Sequence, residues 1–580
     1  MPYTISIMNL KLNKLLLHTY LFFLSFFFLL FHGYHYGHWE QVFYIPRIRH
    51  LLDPSFLAQD WFISLAPYHA FALKLWGGLG QIFGLPWATA ILYASVLLIY
   101  IWFTYFIAWE LFKNKNIALL SAFLMTFIIP HGLGGSRMIQ ASLSPRMLGI
   151  ALVLIALYFF FRGNYIGAFF MAFIAGKLHL LIGINILLIL GLYYVFSWQA
   201  RKPSFKELGF ILLGLCFVLL PDIWQQIQII LGNPSLSPDL FIKINTQLRF
   251  PQHYLLLHTG PLGLFYFGAL LCLLYFFRVV LPDKEKRAKF LYLAGILAVF
   301  SLINLLFVDL LHIGFLAKLQ LLRLTYLIEY LFLLIFAAVL VDFYNKRPAI
   351  IFKPSLLLII FLLPLLIYRL PENYKQLTVL LLILFIIFLL EYLLKKSPGL
   401  NTFRSQISIP ALKLSFVSTL ILCSILIFIV FYLLIFPQQL ANIQCQAPGK
   451  NASAFIDIAY WAKMNTSPEA IFITPPHVAG FRLHAERAII TDFQACPYLE
   501  NNSLEWKHRL DKLIDTDLFA SGLKGWAFLP FLASKYYALS SEQISNIGQE
   551  FSADYLLTKN GHTVSFPLVY KNNEYALYKL

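Results

Sequence analysis

The chain has 580 residues, of which 60% are hydrophobic and only 12% are charged, and its mean hydropathy is +0.74. This composition excludes an ordinary soluble domain and predicts an integral, multi-pass membrane protein surrounded by membrane lipids. The formal net charge of +17 does not indicate nucleic-acid binding, because the basic residues lie mostly in short loops between apolar segments.

Apolar segments of about 20 residues, the length that crosses a bilayer core, recur along most of the chain. The first, Leu15 to Phe31, has no small-residue cleavage site after it and is predicted to remain as a membrane helix. Lys and Arg cluster in alternate loops, which predicts a cytoplasmic amino terminus and an outer carboxyl terminus in the inner or plasma membrane. The thirteen predicted spans are 15–31, 86–110, 117–130, 146–161, 165–176, 179–197, 207–222, 255–280, 290–308, 321–343, 349–368, 376–394 and 411–436.

The spans 165–176 and 179–197 stand out because the first is short for a full crossing. Basic residues on both flanks place both ends of the pair on the cytoplasmic side, so the pair must enter the membrane and return to the same side. Because its first member is short, a broken or re-entrant helix is predicted. Lys177 and His179 then lie at the outer side. The turn GKLH (176–179) is predicted to line a cavity, where non-helical backbone is tolerated at membrane depth.

After Phe436 the composition becomes polar and mixed. This shift predicts a membrane domain, 1–436, whose first extracytoplasmic loop spans about 32–85, and a small extracytoplasmic α/β domain, 437–580. Helices are predicted at 452–464 and 503–515, and strands at 470–476, 487–493, 553–560 and 575–580. Cys445 and Cys496 share this domain and are predicted to lie close enough for a disulfide.

The first loop contains the acidic, histidine-bearing stretch GYHYGHWEQVFYIPRIRHLLDPSFLAQDW (33–61). Carboxylates held where a membrane bundle meets water are costly unless they act, which makes Glu40, Asp53 and Asp60 candidates for chemistry. Each also has a simpler reading. Glu40 could be a solvated charge at a helix end, Asp53 could open the turn at Pro54, and Asp60 could cap a helix.

Histidines recur every three residues at positions 32, 35 and 38, a spacing that shares one helix face. A metal site there is conceivable, but Gly33 and Gly37 predict that the helix frays, which favours interfacial histidines. Glu329 lies inside the apolar run LTYLIEYLFLLIF and is expected to face protein or a polar cavity, where it could pair with a cation instead of catalysing.

Basic side chains in independent segments are predicted to reach the same outer leaflet. Lys177, Arg249 and Arg323 carry this argument, and a guanidinium there could clamp a lipid phosphate or simply extend to ordinary headgroups. Arg137 and Arg146 flank the loop SRMIQASLSPR (136–146), which three preceding glycines, at positions 132, 134 and 135, predict to be flexible.

Several motifs are shared with a known class of membrane enzymes. They are EQ (40–41), LDPS (52–55), DW (60–61), RFPQHY (249–254), FITPP (472–476), GFR (480–482) and DF (492–493). With one helix, a large acidic outer loop, many further helices and a terminal α/β domain, the chain resembles the GT-C class of membrane glycosyltransferases. That class includes oligosaccharyltransferases, protein O-mannosyltransferases and aminoarabinose transferases, and the closest resemblance is to uncharacterised bacterial members.

The resemblance implies transfer of a sugar from a polyprenyl-phosphate donor to a glycan, lipid or protein acceptor outside the cytoplasm. It implies Glu40 or Asp60 as the catalytic base, because an attacking hydroxyl must lose its proton. The departing phosphate needs cations, and the residues expected to bind it are Lys177, His179, Arg249, His253, Arg323 and Arg146. The first loop has no DxD motif, so no cofactor is predicted, although a divalent metal is left open.

Two other classes of function remain open from the sequence. A transporter or flippase of lipid-linked saccharides could use the same basic cavity without a base, although the repeated halves typical of transporters are not detectable. A non-catalytic assembly protein could use the C-terminal domain to bind a partner, but clustered carboxylates would then have no purpose.

Overall fold

A computed structural model describes residues 2–67, 69–198, 205–232, 240, 242–346, 420–421, 424–425, 443–444, 453–497 and 500–580. Within these ranges the amino-terminal part is helical. Six helical segments are long and apolar enough to cross a membrane, and they are Lys14–His32, Leu85–Phe112, Pro145–Arg162, Leu257–Val280, Lys284–Leu310 and Gly314–Asp342. The protein is therefore an integral membrane protein. Three shorter apolar helices, Lys115–Phe127, Tyr165–Leu178 and Leu180–Phe196, pack among them.

The helices of the first half begin and end at conventional signals. They are α1 (Pro2–His32), α2 (Gln41–Leu52), α3 (Trp61–Ser64), α4 (Ala70–Phe83), α5 (Leu85–Phe112), α6 (Lys115–Phe127), α7 (Pro145–Arg162), α8 (Tyr165–Leu178) and α9 (Leu180–Phe196). Asn114 caps α6 by accepting hydrogen bonds from the amides of Asn116 and Ile117. Gly163 ends α7 in the left-handed conformation, with φ of 82°.

The next helices include two irregular turns. The regular ones are α10 (Phe205–Gly232), α11 (Pro251–Tyr254), α12 (Gly260–Phe276), α13 (Lys284–Asn304), α14 (Gly314–Leu319) and α15 (Tyr326–Lys346). Lys243–Arg249 and Leu305–Leu310 form π-helical turns, which occur often at functional sites. The segment that contains α15 is almost wholly buried, so it lies at the centre of the bundle.

Between α1 and α5 the chain forms a compact loop with its own strand and helices. Its first strand, β1 (Tyr34–His35), pairs in parallel with β2 (Ile443–Gln444), from the region that precedes the C-terminal domain. The helices α2 and α3 follow, and α2 packs against α4 and against the C-terminal domain. The loop therefore connects the two ends of the chain.

The C-terminal domain is a five-stranded sheet with helices around it. Its elements are α16 (Ala454–Asn465), β3 (Ile471–Ile473), α17 (Phe481–His484), β4 (Ala488–Ile489), α18 (Glu500–Ile514), α19 (Phe528–Tyr536), α20 (Ser541–Phe551), β5 (Tyr555–Lys559), β6 (Leu568–Lys571) and β7 (Tyr575–Lys579). The strand order is β4-β3-β5-β7-β6, with β4, β3 and β5 parallel and β7 antiparallel to both its neighbours.

Most predicted elements coincide with observed ones. Ten of the predicted spans match helices, whereas 349–368 and 376–394 lie outside the described residues and 411–436 lies almost entirely outside them. Both helices and all four strands predicted for the C-terminal domain are present. The strand β6 and the helices α19 and α20 are elements that the sequence analysis does not predict, although α20 carries a recognisable capping box at Ser540 and Gln543.

Candidate functional site

Glu40 stands in a tight turn between α1 and α2. It occupies the N-cap position of α2 with helical backbone angles and makes no side-chain capping bond. Its side chain is half-buried. Among the residues that the structure describes, it takes part in no hydrogen bond or ion pair. The Glu40 carboxylate is therefore available to contact a substrate, because no described interaction uses it to stabilise the fold.

Asp60 has a different environment. It is fully buried and caps α3, with Oδ1 accepting from the Ile63 amide at 3.1 Å. Its Oδ2 accepts from Arg482 Nε at 2.7 Å and from the Ile489 amide at 3.0 Å. Arg482 also binds Asp492, and all three charged side chains are buried. Both oxygens of Asp60 are therefore engaged: Oδ1 caps α3, and Oδ2 docks the first loop onto the C-terminal domain.

Five of the basic or histidine side chains near the first loop form one group, which we call the basic cluster: His69, Arg146, His179, His253 and Arg323. The rings of His69 and His179 lie 4.4 Å apart between centroids. Burial lowers the pKa of His69 to about 3, and the charges of Arg323 and Arg47 contribute. The five residues come from segments that are far apart in sequence, and these segments therefore converge on one place.

His253 belongs to the basic cluster and also interacts electrostatically with Arg249. Burial lowers its pKa well below the usual range, and Arg323, Arg146 and Arg249 act in the same direction. The ring is therefore neutral at pH 7. Its Nδ1 lies 2.7 Å from the Gly134 carbonyl, which can only accept, so Nδ1 carries the proton and Nε2 is an acceptor.

His179 has the opposite arrangement. It stands between α8 and α9, where its Nδ1 accepts from the Ile182 amide at 3.4 Å. In the neutral ring the proton is then on Nε2, which is a donor. The break between the two helices is a single residue. Gly176 and Gly183 allow the helices to cross closely, because a Cβ on Gly183 would come within 2.1 Å of the Gly176 Cα.

Arg249 is buried at the end of its π-helical turn. Its guanidinium lies over three aromatic rings, 4.1 Å from Phe250, 4.9 Å from Phe493 and 4.7 Å from Trp526 between the guanidinium carbon and the ring centroids. Its Nη2 donates to the Gln494 carbonyl at 3.3 Å. Arg249 thus lies at the boundary between the membrane domain and the C-terminal domain.

Lys177 lies apart from these residues. Its Nζ is 3.4 Å from the Val218 carbonyl and 4.7 Å from the centroid of the Phe217 ring, both on α10. The structure therefore brings together the other predicted phosphate-binding residues but directs Lys177 towards a neighbouring helix.

The loop between α6 and α7 (residues 128–144) is packed closely, and the prediction that its glycines make it flexible is wrong. A Cβ on Gly132 would come within 2.7 Å of Thr325 Oγ1 and of the Tyr326 amide nitrogen, so the glycine permits close contact. Glu329 holds the same loop, because it accepts from the His131 amide at 2.6 Å and from the Tyr266 hydroxyl at 3.0 Å. Arg146, in the first turn of α7, also holds the loop, because its Nη1 donates to the Arg137 carbonyl at 2.6 Å.

The three histidines near the end of α1 diverge. His32 Nε2 lies 2.9 Å from the Thr126 carbonyl, whereas the rings of His35 and His38 are 5.1 Å apart. Within the described ranges, no group of three or more His, Cys, Asp or Glu side chains is arranged to hold a metal ion. The predicted disulfide involves Cys445, which lies outside the described residues, and it stays a prediction.

Several residues of this region were not recognised from sequence as candidates. His69 carries no motif around it, and Arg482 appeared only within the shared run GFR. Arg47 lies 4.0 Å from the Phe62 ring centroid and donates to the Phe62 carbonyl at 2.8 Å, while Arg482 lies over the same ring at 5.3 Å. The Phe62 ring is therefore contacted by two buried guanidinium groups, an arrangement that no local sequence pattern predicts.

Comparison with known proteins gives a fold-level result. A family model described as a domain of unknown function (DUF6798) matches residues 453–513. No curated protein matches the chain. Among solved structures, the chain is similar to the crystal structure of ArnT from Cupriavidus metallidurans bound to undecaprenyl phosphate, with 12% identity, a TM-score of 0.51, and coverage of 98% of each chain. The fold is that of the GT-C class. The resemblance noted in the sequence is confirmed at this level.

A second neighbour is the archaeal oligosaccharyltransferase AglB from Archaeoglobus fulgidus, in complex with an inhibitory peptide and a dolichol-phosphate. It shares 12% identity, with a TM-score of 0.41, over 94% of this chain and 70% of that one.

Proposed function

We propose that the chain is a GT-C membrane glycosyltransferase that transfers a sugar from a polyprenyl-phosphate-linked donor to an acceptor hydroxyl on the extracytoplasmic side. The observation that carries this proposal is Glu40, a half-buried carboxylate without an ion pair among the described residues, in a turn that Gln494 links to the buried Arg249. Its neighbour Gln41 donates to the Leu143 carbonyl at 3.0 Å, three residues before Arg146.

In the proposed reaction Glu40 takes the proton of the acceptor hydroxyl. The acceptor oxygen forms a bond to the anomeric carbon of the donor sugar, while the bond from that carbon to the phosphate oxygen breaks. The leaving phosphate keeps the electron pair, and Arg146, Arg249 and Arg323 stabilise its added charge. ArnT, which shares this fold, is bound to undecaprenyl phosphate in its crystal structure, and this supports a lipid phosphate as the leaving group.

The two histidines take complementary roles in this proposal. His179 presents an Nε2 donor, which suits a phosphate oxygen. His253 presents an Nε2 acceptor, which suits a hydroxyl of the donor sugar better than the phosphate itself. Asp60, whose oxygens are engaged by Arg482 and two backbone amides, orients the first loop, and Glu40 remains as the base.

The topology forms part of the same proposal. We assign 1–436 to the membrane domain, with thirteen spans, and 437–580 to an extracytoplasmic domain. The amino terminus is then cytoplasmic, as the distribution of Lys and Arg in the loops indicates. Glu40, in the turn between α1 and α2, and the C-terminal domain, which contacts this turn at Trp39, would share the outer side.

The test is Glu40→Gln, which keeps the shape of the side chain and removes the base. Purified protein in liposomes is given a lipid-linked saccharide extract, and release of polyprenyl phosphate is followed by mass spectrometry. We expect transfer to slow by roughly 100-fold or more, with undecaprenyl phosphate binding unchanged. Glu542→Gln, at an exposed position of α20, is the matched control.

Wild-type transfer by Glu40→Gln would show that another group is the base. Passage of intact lipid-linked saccharide across the bilayer, without release of polyprenyl phosphate by the wild-type protein, would instead identify a flippase.

A further inference from the structure

One residue of the C-terminal domain contacts both sides of the candidate site. Gln494 uses its side-chain amide to donate to the Trp39 carbonyl at 3.0 Å, directly before Glu40. Its own carbonyl accepts from Arg249 Nη2 at 3.3 Å. The separation in sequence is large, since Gln494 and Trp39 are 455 residues apart. Gln494 is therefore the shared neighbour of the proposed base and a proposed phosphate-binding arginine.

The turn that carries Glu40 needs external support. Trp39 has a φ of 53°, in the left-handed region that bulky residues rarely adopt and that costs about 1 kcal/mol or more. Its side chain is 59% exposed, so packing of the indole cannot provide the compensation. Gln41 fixes one side of the turn, because it accepts from the Gly37 amide at 2.8 Å and donates to Leu143. Gln494 fixes the other side.

Gln494 is itself held firmly. Asp492 Oδ1 accepts from the Ala495 amide at 2.8 Å, and the Asp492 carbonyl accepts from Trp506 Nε1 at 2.9 Å. The Phe493 amide donates to the Pro476 carbonyl at 2.8 Å. The segment 492–495 is thus anchored on both sides of Gln494. The position of Gln494 is therefore fixed by the C-terminal domain, and its side chain can hold the turn in place.

Arg249 is fixed by the same segment. Its guanidinium lies over the Phe493 ring and bonds to the carbonyl of the next residue. A single short segment therefore contacts Arg249 through its backbone and the Glu40 turn through one side chain. Removal of that side chain affects the turn and leaves the contact with Arg249 in place.

We propose that Gln494 is a positioning residue that sets the place of Glu40 relative to Arg249, so that the C-terminal domain completes the catalytic site of the membrane domain. This inference rests on the proposed function, because it assigns Gln494 a role in the same transfer reaction. It gives the C-terminal domain a part in the chemistry that is separate from acceptor binding.

The test uses Gln494→Ala and the near-isosteric Gln494→Glu, which keeps the volume but loses the N–H donor. Loss of one hydrogen bond predicts a fall in kcat of about tenfold, with KM for the polyprenyl-linked donor within about twofold of wild type. The matched control is Gln543→Ala, which removes the capping box of α20 and a bond to Asp515 at 2.6 Å. It should lower thermal stability and leave kcat unchanged.

Hydrogen exchange of the full chain in detergent gives a readout that does not need the reaction. Faster exchange of the amides of residues 37–41 in both Gln494 variants, and not in Gln543→Ala, is expected. Unchanged exchange there, or wild-type kcat in an active Gln494→Glu protein, would overturn the positioning role. If the wild-type protein transferred no sugar, the proposed function would fail, while the exchange result would still decide whether Gln494 holds the turn.

Discussion

Arg482 of the C-terminal domain and Asp60 of the first loop form a buried ion pair, with Nε 2.7 Å from Oδ2 and side-chain exposures of 2% and 0%. A buried charge is costly without its partner, so the pair ties the two parts of the chain together. Asp492 binds the same guanidinium, which makes a triad of one cation and two anions.

Asp60→Asn should destabilise the protein without acting directly on the reaction. Loss of one partner of a buried pair costs about 3–5 kcal/mol, and we expect a clear fall in the unfolding temperature of the detergent-solubilised protein. Asp53→Asn is the control, because Asp53 is exposed and its side chain bonds only to Ser55 among described partners. An Asp60→Asn protein with wild-type unfolding temperature and no transfer would instead identify Asp60 as the base.

Arg323→Gln should weaken binding of the lipid phosphate. Arg323 is held by a hydrogen bond from its Nε to Gln320 and lies among His69, His179 and His253. A charge-assisted hydrogen bond contributes about 1.5–3 kcal/mol, which corresponds to roughly a 10- to 100-fold increase in the Kd for undecaprenyl phosphate. Arg162→Gln, at an exposed position, should leave the Kd unchanged, and equal affinity in both variants would exclude Arg323 from the phosphate site.

The stability of the protein should fall as pH drops below neutrality, partly because of His69. Its folded pKa of about 3 lies below the ordinary value of 6.5. Between these values the unfolded chain binds a proton that the folded chain does not, so this contribution is fully present above pH 6.5 and is lost as pH falls. The slope reaches about 1.4 kcal/mol per pH unit for one group. His69→Gln should show a shallower fall in unfolding temperature between pH 7 and pH 4; an unaltered slope would contradict this origin.

Gly132→Ala should destabilise the loop between α6 and α7. The added Cβ would meet Thr325 Oγ1 and the Tyr326 backbone at 2.7 Å. Overpacking of this kind costs about 1–3 kcal/mol. Gly295→Ala, in the helix α13, is the matched control, since nothing lies within 4 Å of its added Cβ. The control should unfold at the wild-type temperature or slightly above it, because alanine favours a helix interior. Equal unfolding temperatures for the two variants would contradict the close contact at Gly132.

The proposed topology predicts the side of the membrane on which Leu580 lies. A reporter that is active only in the cytoplasm, fused after Leu580, should be silent, because an odd number of crossings follows a cytoplasmic amino terminus. The matching control is the same reporter fused after Lys113, in a loop with basic residues, where it should be active. Activity of the fusion at Leu580 would reverse the placement of the C-terminal domain.

The sequence predicted elements better than it predicted contacts. Hydropathy located α5 and α7 within a few residues, because lipid requires every backbone polar group in a span to be satisfied inside the helix. Lys177, Arg249 and Arg323 were predicted to reach one place: Arg249 and Arg323 both act on His253, whereas Lys177 contacts a neighbouring helix, and a shared phosphate site stays a prediction. The ion pair of Asp60 with Arg482 could not be predicted from the sequence, because nothing near residue 60 specifies a guanidinium 422 positions later. The glycines of the loop before Arg146 were interpreted as a source of flexibility because close packing by a distant helix leaves no local pattern.

Because Asp60 and Arg482 lie far apart in the sequence, the ribosome synthesises Asp60 long before Arg482. At about 5–20 residues per second, a ribosome needs roughly 20–80 s to reach Arg482 after Asp60 has been made. During that interval the first loop holds a carboxylate without its guanidinium, and the turn at Trp39 has no Gln494 to bind. If the protein transfers sugar as we propose, its nascent chain is inserted helix by helix into a membrane that already contains the lipid-linked donor, and it begins to consume that donor only after its last domain has folded.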